Sequence, residues 1–216
     1  MTTSSIDTVA GIRVPDTALA REVTEFIRDT EDELLFDHSR RVFFFGALQG
    51  VRRGLQPDVE LLYAAAMFHD LGLTERYRGS AVRFEVDGAD AARDFLTARG
   101  IDQADADKVW LGIALHTTPG VPEFLAPEVA LLQAGVEVDV VGVGREQLAP
   151  EALAAVTAAH PRPQFKQRIL TAFNDGMKHR PRTTDGTMNA DVLAHFDPSF
   201  ERVDFVDKIV HNTWPE

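Results

Sequence analysis

Apolar residues recur along this chain at three- and four-residue intervals, the repeat of helices that bury one face, and no stretch alternates convincingly as a strand. The pattern predicts a first helix from a cap at Asp16 or Thr17 to about Asp29. A second runs from near Asp37 through HSRRVFFFGALQGVRR to Gly54. Pro57-Asp58 opens a third, VELLYAAAMFHD, which Leu71-Gly72 stops. TERYRGSAVRFEV then reads as the longest loop, and Asp87 as the cap of GADAARDFLTARG, ended by Gly100. Further helices are expected over Asp102 to His116, Pro127 to Val141, Pro150 to Ala159 and Gln164 to Lys178. PRTTDGT reads as a linker before two short helices, NADVLAHF and ERVDFVDKIV. The expected fold is all-α. It is one domain over 1–216 with its core at about 34–145, a C-terminal helical extension over 150–216 and a flexible start over 1–15.

Several ionisable residues fall on the apolar faces of these helices. His38 shares a stripe with Val42 and Phe45, and His69 follows Leu62, Ala65 and Ala66. His116 follows Val109, Gly112 and Ile113, and Asp139 follows Leu132, Gly135 and Val136. One inward histidine is an ordinary hydrogen-bonded core residue, and one inward aspartate an ordinary paired or capping one. Four on separate helices call for a shared partner, because a buried carboxylate alone is too costly to persist. A divalent cation would compensate them together, and imidazole with carboxylate suits zinc, iron or manganese. Neighbours at a helix end, such as His69 and Asp70, lie about 100° apart and can flank one ion.

Composition narrows the partners. With no cysteine in 216 residues, disulfides, thiolate nucleophiles and cysteine-zinc sites are all removed. A net charge of −12 repels phosphate backbones, so no nucleic acid is expected and a small-molecule substrate is. Arg40-Arg41, Arg52-Arg53 and the stretch from Arg162 to Arg182 read as solvated faces. No apolar run reaches the roughly 18 to 20 residues of a membrane span. The polar start carries no signal-like core, so the expected address is cytoplasmic. The run from Val42 to Phe45 exceeds one buried stripe, which suggests a self-association face and a homo-oligomer.

A histidine, then His-Asp, then a distant aspartate, each on a helix, resembles the HD-domain superfamily of metal-dependent hydrolases. The blocks SRRVFFFG, AAMFHDLGLT, RFEVDGADAARDFL, IALHTTPG and GVEVDVVG, with the tail ADVLAHFDPSFERVDFVDKI, resemble its cyanamide hydratase-like branch. The resemblance runs from about Leu34 to the C-terminus. It implies an HD-domain helical bundle with four metal ligands: His38, His69, Asp70 and Asp139. It also implies hydration of a small nitrile-like substrate, cyanamide to urea, by a metal-bound hydroxide. Leu73 stands where related nucleotidases carry glutamate and cyclic-dinucleotide phosphodiesterases carry lysine. Phe84 stands where binuclear relatives carry a histidine, so one metal is expected, zinc first, with Fe²⁺ or Mn²⁺ as alternatives. His116 is then free to carry the substrate's proton or to anchor it, with Asp70 beside the reaction. Glu85 and Thr117 are candidate substrate-binding residues, and Arg76, Tyr77 and Arg78 could form a lid. The alternative function is phosphohydrolysis of a nucleotide or small phosphate ester, and a third is a metal-stabilised binding module.

Overall fold

Helix α2 (Glu33–Arg53) is the axis of the molecule. Asp32 caps its start by accepting from the Leu35 amide, and Gly54, at φ 67°, ends it in the left-handed conformation. It therefore begins one turn before the expected Asp37, and its faces from Leu34 to Gly46 are almost all interior. The run Val42 to Phe45 is at most 2% exposed, so it supplies core and not a self-association face. Arg40 and Arg41, expected to be solvated, are buried with it.

The structure is a computed structural model and describes residues 8–215; residues 1–7 of the expected flexible start and residue 216 of the expected C-terminal extension lie outside the described residues. Among the described residues the fold is all-α apart from one hairpin, β1 (Thr8–Val9) with β2 (Ile12–Arg13), whose two-residue strands are too short to alternate. The segment from Thr8 to Val14, expected to be flexible, is thus ordered: Val9 and Ile12 pack on the main core and Val14 is buried. The other helices are α1 (Ala18–Thr30), α3 (Val59–Phe68), α4 (Phe84–Thr97), α5 (Gln103–Leu115), α6 (Pro127–Val140), α7 (Pro150–Ala159), α8 (Phe165–Met177), α9 (Asn189–Phe196) and α10 (Phe205–Val210). No described helix is long and apolar enough to cross a membrane.

Helices α2 and α6 run antiparallel in close contact. A Cβ on Gly135 would lie 2.2 Å from the Val42 carbonyl oxygen, and one on Gly46 would lie 2.5 Å from that of Leu131. Only glycine permits this approach. One turn further along the same register, His38 meets Asp139.

Two expectations fail at α4 and beyond α8. Helix α4 begins at Phe84, so Asp87 lies inside it and caps nothing. PRTTDGT is not a linker: Pro181–Thr184 forms a 3₁₀ turn with Thr184 buried. Just before it, Arg180 is buried, pairs with Asp87, and donates to the carbonyls of Gly72 at 2.6 Å and Val82 at 2.9 Å. A second apolar cluster, including Leu34, Leu35, Leu73, Phe84, Phe165, Ile169, Met177 and Leu193, joins α8 and α9 to α2 and α4. The C-terminal extension is therefore built into the rest of the fold through α8 and α9, while α10 is exposed.

Candidate metal centre

Three histidines meet at one place because their elements end or cross there. His69 and His116 follow the last residues of α3 and α5, where helical carbonyls lose their intrahelical partners. His69 Nδ1 donates to the Ala66 carbonyl at 2.8 Å, and His116 Nδ1 to that of Ile113 at 2.6 Å. His38 Nδ1 lies 2.7 Å from Asp139 Oδ2. At His38 and His69 the oxygen acceptor keeps the proton on Nδ1, which leaves each Nε2 its lone pair.

Those lone pairs face a common space. His38 Nε2 is 3.2 Å from His69 Nε2, and Asp70 Oδ2 is 3.5 Å and 3.4 Å from the two nitrogens. Asp70 Oδ1 looks the other way, 3.6 Å from His116 Nε2. Both Asp70 oxygens are buried and have no hydrogen-bond partner. Ligand atoms of His38, His69 and Asp70 lie within 4.8 Å of one another, all buried. A buried Asp70 Oδ2 facing two imidazole nitrogens that offer only lone pairs is strongly unfavourable unless a cation joins them. The donors are those that divalent zinc, iron or manganese accept, so the residues fit such an ion.

The charges agree. Burial drives the His69 pKa down to about 3, with His38 and His116 adding to the effect against the pull of Asp70, so its imidazole is neutral. Burial alone would raise the Asp70 carboxyl, but His69, His116 and His38 outweigh it and hold it below the usual range. Burial opposes protonation of His116, yet the Asp70 contact and charge, helped by Glu85, hold its pKa up.

Asp139, expected as a fourth ligand, is not brought into this group. Arg41 Nε lies 2.9 Å from its Oδ1 and Arg41 Nη2 2.9 Å from its Oδ2, and Arg162 Nε lies 2.9 Å from Oδ1. Both guanidinium groups stack on Phe165, at 4.8 Å and 4.4 Å from its ring centre. Burial would raise the Asp139 carboxyl, but His38 and Arg41 hold it well below the carboxylate range. It orients His38 from behind, as carboxylates do for metal-bound histidines. Sequence reasoning missed Arg41 and Arg162. The available signal was spacing, since Arg41 lies three positions after His38 and shares its inward face.

The cluster floors a cavity of about 210 Å³. Its walls are Val136 and Val140 of α6, Leu170 and Phe173 of α8, and Val192 of α9; Thr117, Gln133, Glu137 and Asn189 supply the polar groups. Among the described residues, no lysine or arginine lines it. Of the two candidate substrate-binding residues, Thr117 lines the cavity and Glu85 is fully buried beside it. Its Oε1 accepts from Arg83 at 2.8 Å, Thr117 at 2.5 Å and Asn189 at 2.8 Å. Glu85 thus fixes two residues of the wall. Phe84 is buried with its ring edge on His116, centroids 5.6 Å apart. Arg76, Tyr77 and Arg78 line other clefts, so they form no lid over this one.

A family model described as "HD domain" matches residues 35–163. The match includes His38, His69, Asp70, His116 and Asp139 and ends before Leu170, Phe173 and Asn189. No curated protein matches the chain.

Proposed function

Because the chain belongs to the HD-domain family, we propose that it is a metal-dependent hydrolase of the hydratase kind, adding water to a small nitrile-like substrate. Cyanamide, converted to urea, is the substrate that the sequence resemblance implies. One observation carries the reading: a buried His38–His69–Asp70 donor set floors a cavity that no lysine or arginine lines among the described residues. A phosphate ester needs positive groups around it to bind and react. The nearby arginines are engaged elsewhere, Arg41 and Arg162 by Asp139 and Arg83 by Glu85. A neutral substrate needs none.

His38, His69 and Asp70 would hold one ion, zinc by preference, with iron and manganese also suited to the set. Phe84 leaves a second ion without its histidine. Such an ion would lower the pKa of a bound water to near neutrality and polarise a bound substrate. Hydration breaks one O–H bond of water, forms a bond from its oxygen to the nitrile carbon and delivers a proton to the nitrogen. His116 would move that proton; in support, its Nε2 faces Asp70 Oδ1 and its Nδ1 is fixed by Ile113. Thr117 and Asn189, held by Glu85, present hydroxyl and amide groups to orient the substrate.

The test is a substrate panel on the metal-loaded protein, with cyanamide and short nitriles set against deoxynucleoside monophosphates. Amide or urea formation is expected, and His116→Ala should keep its metal while turnover falls about 100-fold or more. Dominant phosphate release would replace the hydratase reading with phosphohydrolysis.

A further inference from the structure

Cyanamide is an amino group and a nitrile with nothing else to bury. The cavity above the metal cluster is larger than that and mostly apolar beyond its floor, with Glu137 adding a carboxylate to the wall. At ~30 Å³ per water-sized group, about 210 Å³ has room for about seven such groups. Above His38, His69, Asp70 and His116 the surfaces are Val136, Val140, Leu170, Phe173 and Val192. Of the nearby polar groups, Gln133 donates to the Thr118 carbonyl, and Asn189 and Thr117 both donate to Glu85.

From this placement we infer that the substrate carries a compact apolar body, of about four or five carbons, behind the polar head that reaches the metal cluster. The inference rests on the reading of the floor as a metal site, and it narrows the substrate class beyond cyanamide. A second feature supports it. Leu170, Phe173 and Val192 lie beyond residue 163, where the HD-domain match ends, so the wall facing the body belongs to this chain's own C-terminal helices. Those helices are held in register by Arg180 on Asp87 and by Asn189 on Glu85. A wall anchored by buried polar contacts keeps its shape, and a fixed apolar wall selects by size and hydrophobicity.

Straight-chain alkyl hydroxamates, from acetohydroxamate to octanohydroxamate, test this on the metal-loaded protein by calorimetry. The hydroxamate head chelates the ion whatever reaction the protein catalyses. Kd should fall about fourfold per methylene as each is buried, and level off near hexanohydroxamate. Val192→Trp should flatten this series while changing the Kd of acetohydroxamate by no more than about twofold. Leu170→Phe, a milder filling, should shorten the chain length at which affinity levels off. A Kd that does not change from acetohydroxamate to hexanohydroxamate in the wild type would overturn the inference. So would an unaltered chain-length dependence in both variants. If long hydroxamates bind best but no nitrile is hydrated, the apolar subsite stands and the hydratase reading falls. Nitrile turnover with chain-independent hydroxamate binding gives the opposite result.

Discussion

Two aspartates on buried helix faces, Asp70 and Asp139, are alike in sequence terms, but their neighbours give them different roles. Asp70 is surrounded by imidazole nitrogens and has no donor on either oxygen, which leaves it open to an ion. Asp139 receives two guanidinium groups and the His38 ring, so it is satisfied by the protein and acts on the site through His38. Asp139→Asn keeps an oxygen for His38 but loses the charge that makes the ring a better ligand. Metal affinity should therefore drop about 10- to 100-fold, measured by chelator competition. Stability should fall by ~3 kcal/mol in denaturant titration, the low end for a broken buried pair, because Arg41 keeps its bonds to the His160 and Pro161 carbonyls. A variant matching wild type in both measurements would show that Asp139 does not tune the centre. The inward placement of His38, His69, His116 and Asp139 was legible from helical spacing. The partner of Asp139 was not, because an arginine beside a histidine reads as a surface charge until the helix is known to be buried all round.

Elements with a clear cap were legible almost to the residue. Asp58 and Asp102 cap α3 and α5 through their side chains, and Pro127 and Pro150 open α6 and α7. The starts of α2 and α4 were misplaced for physical reasons. Asp32 competes with Asp37 as a cap, and α4 opens at Phe84 with no side-chain cap at all. The turn after α8 was misread because its polar residues look like a linker, while their bonds run inward. Arg180 is the clearest case. Removing it leaves Asp87 with only the Ser80 hydroxyl and takes a donor from three carbonyls, those of Gly72, Gly176 and Val82. Arg180→Ala should cost ~3 kcal/mol or more. The neighbouring, exposed Arg182→Ala should stay within ~0.5 kcal/mol. Equal thermal unfolding curves for the two variants would mean that α8 and α9 are held by their apolar contacts alone.

On the scale of the whole molecule, the glycine-paired crossing of α2 and α6 sets His38 in place, and the ends of α3 and α5 bring His69, Asp70 and His116 to it. The part of the chain that matches the HD domain supplies the floor, and the C-terminal helices supply much of the wall. The all-α class was legible from periodicity, and the metal chemistry from the residues themselves. The wall was not legible, because packing between distant segments leaves no local pattern. Everything at this centre depends on His38, His69 and Asp70 holding a divalent ion in common. Elemental analysis of the purified chain beside its Asp70→Asn variant, both after reconstitution and desalting, reads this out. One transition-metal ion per wild-type chain is expected, with loss of that ion in the variant. A wild-type chain that holds no metal, or a variant that retains the full amount, would contradict it.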